Sequence, residues 1–386
     1  MKSESINVLL LFWGRRGAIA RCTHELARAL KMRGRVTPHL SLSRQSELFE
    51  ASQDLGIPGC HVDTYQGAVS ALCSLPRIPF ASARLARYIR QNNIQAVVCL
   101  MSHVWNPITI PFLKRAGARY LVAIHDPVRH LDEKNRFLDR IQTRDVRNAD
   151  RVIVLSQFAR GELLKTYPFV APESVTVMPI GAFDSGGPVR QPRAAPSKPA
   201  RLLFFGRIRE YKRVDILLDA YLLIRAQFPG MQLTIVGEGD MTPYAERLQR
   251  AGAGSRVVNR WIEESDIPSL LDQSDLLVLP YREATQSAAV PMALQKGIPC
   301  VVTPCGALPE QVIHEETGLV ASAVDASSVA CAIQRFLTDP NLYAHCSANS
   351  IRLSGAQWSW DMSAKRLEEG VVSALAGENR AGGGAP

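Results

Sequence analysis

The stretch Gly206-Arg207-Ile208-Arg209-Glu210-Tyr211-Lys212 places two candidate ligand-binding cations, Arg207 and Lys212, five residues apart. An apolar run, Leu202-Leu203-Phe204-Phe205, leads into it, and a patterned helix from about Arg213 to Phe228 leads out. Glycine at the end of a buried strand lets the backbone turn tightly and come close to a ligand. Arg207 offers a planar fork of donors and Lys212 a mobile point charge. At a strand-to-helix junction that pair suits a diphosphate lying near a helix N-terminus. The plain alternative is two solvated cations on a loop.

A second stretch, Pro280-Tyr281-Arg282-Glu283-Ala284-Thr285-Gln286-Ser287-Ala288-Ala289-Val290-Pro291, follows an apolar strand and precedes a helix ending at Gly297. Thr285, Gln286 and Ser287 put small polar groups and backbone N–H donors at a helix start, an anion site by geometry; an ordinary capped helix is the alternative. Gly14-Arg15-Arg16-Gly17 joins the first strand to its helix as a phosphate loop would, without the Gly-x-Gly-x-x-Gly spacing of dinucleotide binders. No Gly-Lys-Ser/Thr occurs, which excludes a P-loop. His125-Asp126-Pro127 ends the apolar run Tyr120–Ile124, where a histidine can orient or deprotonate an acceptor hydroxyl or serve structure alone. There is no Asp-x-Asp and no His/Cys set with ligand spacing, so nothing argues for a metal or a bound cofactor.

Positioning these groups takes elements of one kind. Strand candidates in the first half are Ile6–Phe12, Arg35–Leu42, Gly59–Thr64, Gln95–Met101, Arg119–His125, Arg151–Ser156 and Ser174–Met178. An amphipathic helix from about Ala18 to Arg33 lies between the first two, closed by Gly34. The second half repeats the pattern from Arg201 to Val320. Strands alternating with helices predict parallel sheets covered on both faces. With 386 residues, two domains are expected. They are 1–184 and 201–358, joined by a Gly/Pro-rich linker at 185–200. A helix over 359–376 is expected to pack back on the first domain, and a Gly/Ala-rich tail, 377–386, to be disordered. The fold class is α/β, two doubly wound Rossmann-like domains facing each other across a cleft, with ligand at the carboxyl ends of the strands.

Composition narrows the partners. Hydrophobic residues at 46% and charged ones at 21% describe a soluble globular chain, and no apolar run approaches a spanning helix. Eight cysteines without a Cys-x-x-Cys pair read as reduced core thiols, which places the chain in the cytoplasm. Residues 1–184 carry 25 Lys+Arg against 15 Asp+Glu, whereas 185–386 carry 20 against 21. The excess positive charge is confined to the first half, which points to an acidic partner there. Arg136, Arg140, Arg144, Arg147 and Arg151 recur at steps of four or three, and Arg84, Arg87 and Arg90 stand beside Phe80, Leu85 and Tyr88. Such a face suits the inner surface of an anionic membrane or plain solvent; aromatics are too sparse for nucleic acid.

Over roughly 6–375 the chain resembles the retaining glycosyltransferases of family 4, group 1, which have the two-domain GT-B fold. The matching pieces run in order: Ala149-Asp150-Arg151-Val152-Ile153-Val154-Leu155-Ser156, Pro179-Ile180-Gly181, Gly206-Arg207 with Lys212, and Val236-Gly237-Glu238-Gly239. Trp261 through Leu271, Gly306-Ala307-Leu308-Pro309-Glu310 and Gly318-Leu319-Val320 close the set. One departure stands out. The family's two glutamates, eight positions apart, fall here on Ala284 and Met292, with Glu283 one residue off. The Ala-Thr-Gln-Ser…Pro version resembles a recognisable subset of the family.

The resemblance implies transfer of a sugar from a nucleotide-diphosphate sugar to a glycan or lipid-linked acceptor, as in surface polysaccharide or glycolipid synthesis, without metal or protein nucleophile. It implies donor contacts from Gly14, Gly17, Gly206, Arg207, Lys212, Trp261, Ile262, Glu283, Thr285, Gln286, Ser287 and Ala288. The acceptor side would hold Arg15, Arg16, His125 and Asp126. His125, Arg207, Lys212 and Glu283 would carry catalysis, the two cations stabilising charge on the leaving diphosphate. A GT-B nucleotide-sugar epimerase, or a catalytically degenerate sugar-nucleotide-binding protein, are the alternatives.

Overall fold

The computed structural model describes residues 5–67, 70, 74–128, 135–183 and 191–376. The expected tail, 377–386, and the start of the linker lie outside them. The chain forms two compact units, Met1–Gly181 with Trp360–Pro386, and Ala182–Ser359.

The first unit carries a six-stranded parallel sheet ordered β2-β1-β3-β4-β5-β6. Its strands are β1 (Ile6–Phe12), β2 (Val36–Leu42), β3 (Ile94–Cys99), β4 (Arg119–Ala123), β5 (Arg151–Val154) and β6 (Val175–Val177). The second repeats the plan in the order β12-β11-β10-β7-β8-β9. These strands are β7 (Arg201–Phe205), β8 (Gln232–Val236), β9 (Ser255–Val258), β10 (Leu276–Leu279), β11 (Cys300–Val302) and β12 (Gly318–Val320). Central strands such as β1, β3 and β10 are covered on both faces and so read as unbroken apolar runs. Each fully buried Leu or Val contributes about 1.5–3 kcal/mol to holding the layers together. In each sheet the order reverses beside its first strand: β1 lies between β2 and β3, and β7 between β8 and β10. Loops diverge there, which leaves a crevice at the carboxyl ends.

Several elements differ from their expected bounds for local reasons. The helix after Lys212 is Val214–Ile224, because Arg213 adopts a left-handed conformation, φ 51° and ψ 50°. The basic helix starts at Arg136, where the Asn135 side chain caps the Phe137 and Leu138 amides. Gly59–Thr64 makes two isolated bridges alongside β2, Leu40 to Gly59 and Ser43 to Val62, instead of a strand. The helix Trp360–Ala376 packs on the helix Ala18–Arg33 and on β6 of the first unit. The Arg33 guanidinium holds Glu368 at 3.0 Å and Asp361 at 2.7 Å. The described part of the Pro-rich stretch belongs to the second unit. There Arg193 reaches Asp275 at 3.7 Å, and Ser197 donates to the same carboxylate. Cysteines 22, 60, 99, 300, 305 and 346 are buried free thiols and Cys331 an exposed one; Cys73 lies outside the described residues. No helix among the described residues is long and apolar enough to cross a membrane.

Candidate active site

In the second unit the predicted residues gather where the strand order reverses. Gly206 follows β7 with φ 147°, and its N–H donates to Val236 O at 3.0 Å, so the pairing with β8 runs one residue past the strand. Gly237, φ 148°, lies so close that a Cβ there would run into the Gly206 carbonyl oxygen. Two glycines therefore let adjacent loops touch backbone to backbone. The Ile208 amide continues the contact by donating to Glu238 O at 2.9 Å. Held this way, the loop leaves Arg207 exposed and Lys212 half-buried.

Lys212 Nζ sits 3.7 Å from the centroid of the Tyr281 ring and 5.1 Å from that of Tyr211. Tyr281 is 1% exposed, on the loop after β10, the strand next to β7. Its phenol is pushed far up by burial, against a hydrogen bond with Ser287, so it stays neutral. The ring is thus an apolar floor with a negative face beneath the ammonium. The Arg282 amide donates to Tyr211 O at 2.8 Å and ties the two loops together. Arg213 keeps its strained backbone with a two-pronged grip on Asp215, Nε to Oδ1 at 2.9 Å and Nη2 to Oδ2 at 2.8 Å. Burial raises the Asp215 carboxyl, yet the Arg213 bonds bring it below its ordinary value.

The second predicted stretch is built differently from expectation. The helix begins at Ala289, runs only to Gln295 and has no side-chain cap at Ala288. Ser287's amide is not open to an anion: it donates to Gln311 Oε1 at 2.7 Å, and Gln311 Nε2 returns a bond to Ser287 O at 3.0 Å. Thr285 is buried, and the buried Oε1 of Gln286 has no partner among the described residues. Glu283 is half-buried, 3.9 Å from Arg282 Nε. Trp261, 44% exposed, and half-buried Ile262 follow β9, two strands from β7. Tyr281 and Gln311 were not singled out from the sequence. The signal for Tyr281 was present, an aromatic just past the strand that pairs with the Gly-Arg strand; Gln311 gave none.

In the first unit, Gly14–Gly17 and His125 end β1 and β4, with β3 between them. Arg15 and Arg16 are exposed, and the Arg15 guanidinium donates to Gln66 O. Gly17, φ 100°, gives its amide to Glu47 Oε1 at 2.8 Å, so this donor too is already used. His125 Nε2–H donates to Leu100 O at 2.7 Å, which fixes the tautomer and leaves Nδ1 as acceptor. That Nδ1 is buried without a partner among the described residues. Burial holds the imidazole pKa below its usual value, so the ring is neutral near pH 7. Half-buried Asp126 accepts from Gln142 through its backbone O at 3.1 Å. Beside these lies an aromatic group the sequence did not flag: His103 stacks on Tyr65 at 5.6 Å and meets Trp13 and Trp105 edge-on. Burial drives His103 down to about 4.

Known proteins share both halves of this arrangement. The family described as Glycosyltransferase Family 4 matches residues 19–182, and Glycosyl transferases group 1 matches 199–339. Glycogen synthase of Mycobacterium tuberculosis is 27% identical over 61% of this chain, a match that spans only 57% of that protein. A GDP-mannose-dependent alpha-(1-6)-phosphatidylinositol monomannoside mannosyltransferase of Mycolicibacterium smegmatis is 26% identical, over 75% of this chain and 80% of its own. A glycosyltransferase from Rickettsia africae superposes with a TM-score of 0.74 at 17% identity, covering 97% of this chain and 99% of that one. Anabaena HepE, solved with UDP and glucose, gives 0.72 at 15%, covering 95% and 100%. Those two establish a shared fold. With both family matches falling on the two units, one on each, the chain belongs to the family 4, group 1 glycosyltransferases.

Proposed function

We propose that this protein transfers a glycosyl group from a nucleotide-diphosphate sugar to a hydroxyl of a glycan or lipid-linked acceptor, with retention and without a metal, on the cytoplasmic side of a membrane. The observation that carries the reading is the Lys212 ammonium seated on the buried Tyr281 ring, on the same loop as exposed Arg207, where the strand order reverses. The two cations meet the diphosphate. As the anomeric C–O bond breaks, its electron pair leaves with the diphosphate, and Arg207 and Lys212 stabilise the growing charge. The acceptor oxygen bonds to the anomeric carbon from the same face and gives its proton to the departing phosphate oxygen. Glu283 and Gln286, in place of the family's glutamate pair, stand for the donor sugar. On the acceptor side, the first unit supplies His125, Asp126, Arg15 and Arg16 to hold the acceptor.

The test is thermal stability with UDP, GDP, ADP and their common sugar conjugates, in wild type and Lys212→Ala. A ligand binding only the folded state at ~100 times its dissociation constant adds ~2.7 kcal/mol. One nucleotide should stabilise the wild type and lose most of its effect in the variant. If no nucleotide stabilises the wild type, the diphosphate site is wrong and the transferase reading falls with it. Anomeric analysis of the product then decides retention, and donor conversion without an acceptor would mark an epimerase instead.

A further inference from the structure

Residues 281–288, after β10, form no helix or strand, so the shape of this stretch depends on what holds it. The loop after β11, residues 303–311, holds it at Tyr281, Ala284 and Ser287. Thr303 Oγ1 donates to Tyr281 O, and the Ala307 amide donates to Ala284 O at 2.9 Å. Gln311 Oε1 accepts from the Ser287 amide at 2.7 Å, and its Nε2 donates back to Ser287 O at 3.0 Å. The contact at Ala284 is tight: a Cβ on Gly306, φ 54°, would overlap the Ala284 carbonyl oxygen. The held residues recur at every third position. Glu283 and Gln286, the side chains given to the donor sugar, each stand one residue before a held one.

The Gln311 clasp differs in kind from the other two contacts. Its side-chain amide exchanges both bonds with a single residue, as an antiparallel neighbour does in a sheet. Peptide units are planar, so this fixes the planes on both sides of the Ser287 Cα and the direction in which Gln286 leaves the chain. Gln311 is 8% exposed and Ser287 5%, so water does not compete for these bonds, and breaking them strands a buried amide. Ser287 also bonds the Tyr281 hydroxyl, and the Tyr281 ring carries Lys212 at 3.7 Å. The clasped end therefore lies one side chain away from the cation given to the diphosphate. We propose that Gln311 is a positioning residue for donor recognition: by clasping Ser287 it sets Glu283 and Gln286 at the sugar, while Arg207 and Lys212 hold the diphosphate without it. The inference rests on the transferase reading and separates that site's grip on the sugar from its grip on the nucleotide.

The experiment is calorimetric titration of UDP, GDP and ADP, and of their glucose, galactose, mannose and N-acetylglucosamine conjugates, into wild type, Gln311→Met and Gly306→Ala. Methionine matches the length of glutamine and forms neither bond with Ser287. The methyl of Gly306→Ala pushes instead on Ala284, earlier in the stretch. For the nucleotide that wild type binds, affinity should stay within about twofold in Gln311→Met, because Lys212 keeps its ring. The tightest conjugate of that nucleotide should lose about tenfold, the buried hydrogen bonds having gone. Gly306→Ala should move the ratio of conjugate to nucleotide affinity in the same direction, which keeps the test open where Gln311→Met does not fold. A purely structural Gln311 would lower the unliganded melting temperature and leave that ratio unchanged. Such a result overturns the proposal, as does an equal loss of nucleotide and conjugate. Wild type that binds no nucleotide fells the donor reading itself and this inference with it, whereas binding with an unmoved ratio fells only the role of Gln311.

Discussion

Lys212 keeps its ammonium on the face of a ring that water cannot reach, and that contact makes a specific demand on Tyr281. Cation–π attraction to a desolvated ring is worth ~2 kcal/mol, enough to hold the long lysine side chain in one place before a ligand arrives. Tyr281→Phe keeps the ring and loses only the hydroxyl bonded to Ser287, so nucleotide affinity should stay within about twofold of wild type. Tyr281→Leu removes the π face while filling much of the space; affinity should fall roughly tenfold, towards that of Lys212→Ala. Calorimetric titration with the nucleotide that stabilises wild type reads both, and unliganded melting separates a folding defect from a positioning one. Equal affinity in Tyr281→Leu and wild type would reduce Tyr281 to packing. The neighbouring amides show why residue types alone misled. Ser287 and Gly17 carry their N–H groups where an anion could meet them, yet Gln311 and Glu47 already accept from them. A sequence shows that a donor exists; which acceptor reaches it depends on chain returning from 24 or 30 residues away.

The elements were legible wherever burial wrote them into the sequence. β1, β3, β7 and β10 stand as apolar runs because parallel strands are covered on both faces, and Gly34 closes its helix with φ 65°. Asn106–Arg115 was hidden by its own composition, since Pro107 and Pro111 both lie within it. The first takes an early position where no donor is needed, and the second costs an internal bond that neighbouring packing must offset. The stretch 191–200 is the described part of the expected linker, 185–200. The buried carboxylate of Asp275 holds its end: it accepts from Arg201 N at 2.8 Å, from the Arg201 guanidinium at 3.0 Å and from Ser197. Burial raises that carboxyl, but the Arg201 and Ser197 bonds bring it below its ordinary value, so its stabilisation is lost as pH falls through the acid range. Asp275→Ala would strand Arg201 and Arg193 beside an apolar site and should cost about 3–5 kcal/mol in denaturant unfolding of the second unit. A loss below about 1 kcal/mol would mean that the stretch is held by other contacts.

Taken whole, the molecule repeats one plan, two parallel sheets each reversing order beside its first strand, while charge divides the halves: the first basic, the second near neutral. That asymmetry was plain in the sequence. The first unit also contains two titrating groups that pull stability in opposite directions with pH. Asp145, wholly buried, accepts from Asn106 Nδ2 at 2.7 Å; burial nevertheless pushes its carboxyl up to about 6. The folded state then holds more protons than the unfolded chain between roughly pH 4 and 6, so stability falls as pH rises through that range. His103 does the reverse. Burial drives it down to about 4, so below its unfolded value the unfolded chain takes the proton, and stability falls as pH drops from roughly 6.5 to 4. The two slopes overlap and oppose each other, so Asp145 offsets part of the acid destabilisation to which His103 and the likewise depressed His39, His61 and His125 contribute. Asp145→Asn removes one of them while keeping an oxygen for Asn106. The variant should match wild type at pH 4 and exceed it above pH 7, by at most about 3 kcal/mol. Its own profile should decline more steeply than wild type on acidification, since the depressed histidines then act without Asp145 to oppose them. Urea unfolding of both proteins at pH 4, 5, 6 and 8 measures this. Parallel curves across that range would show that Asp145 keeps an ordinary carboxylate pKa in the folded chain.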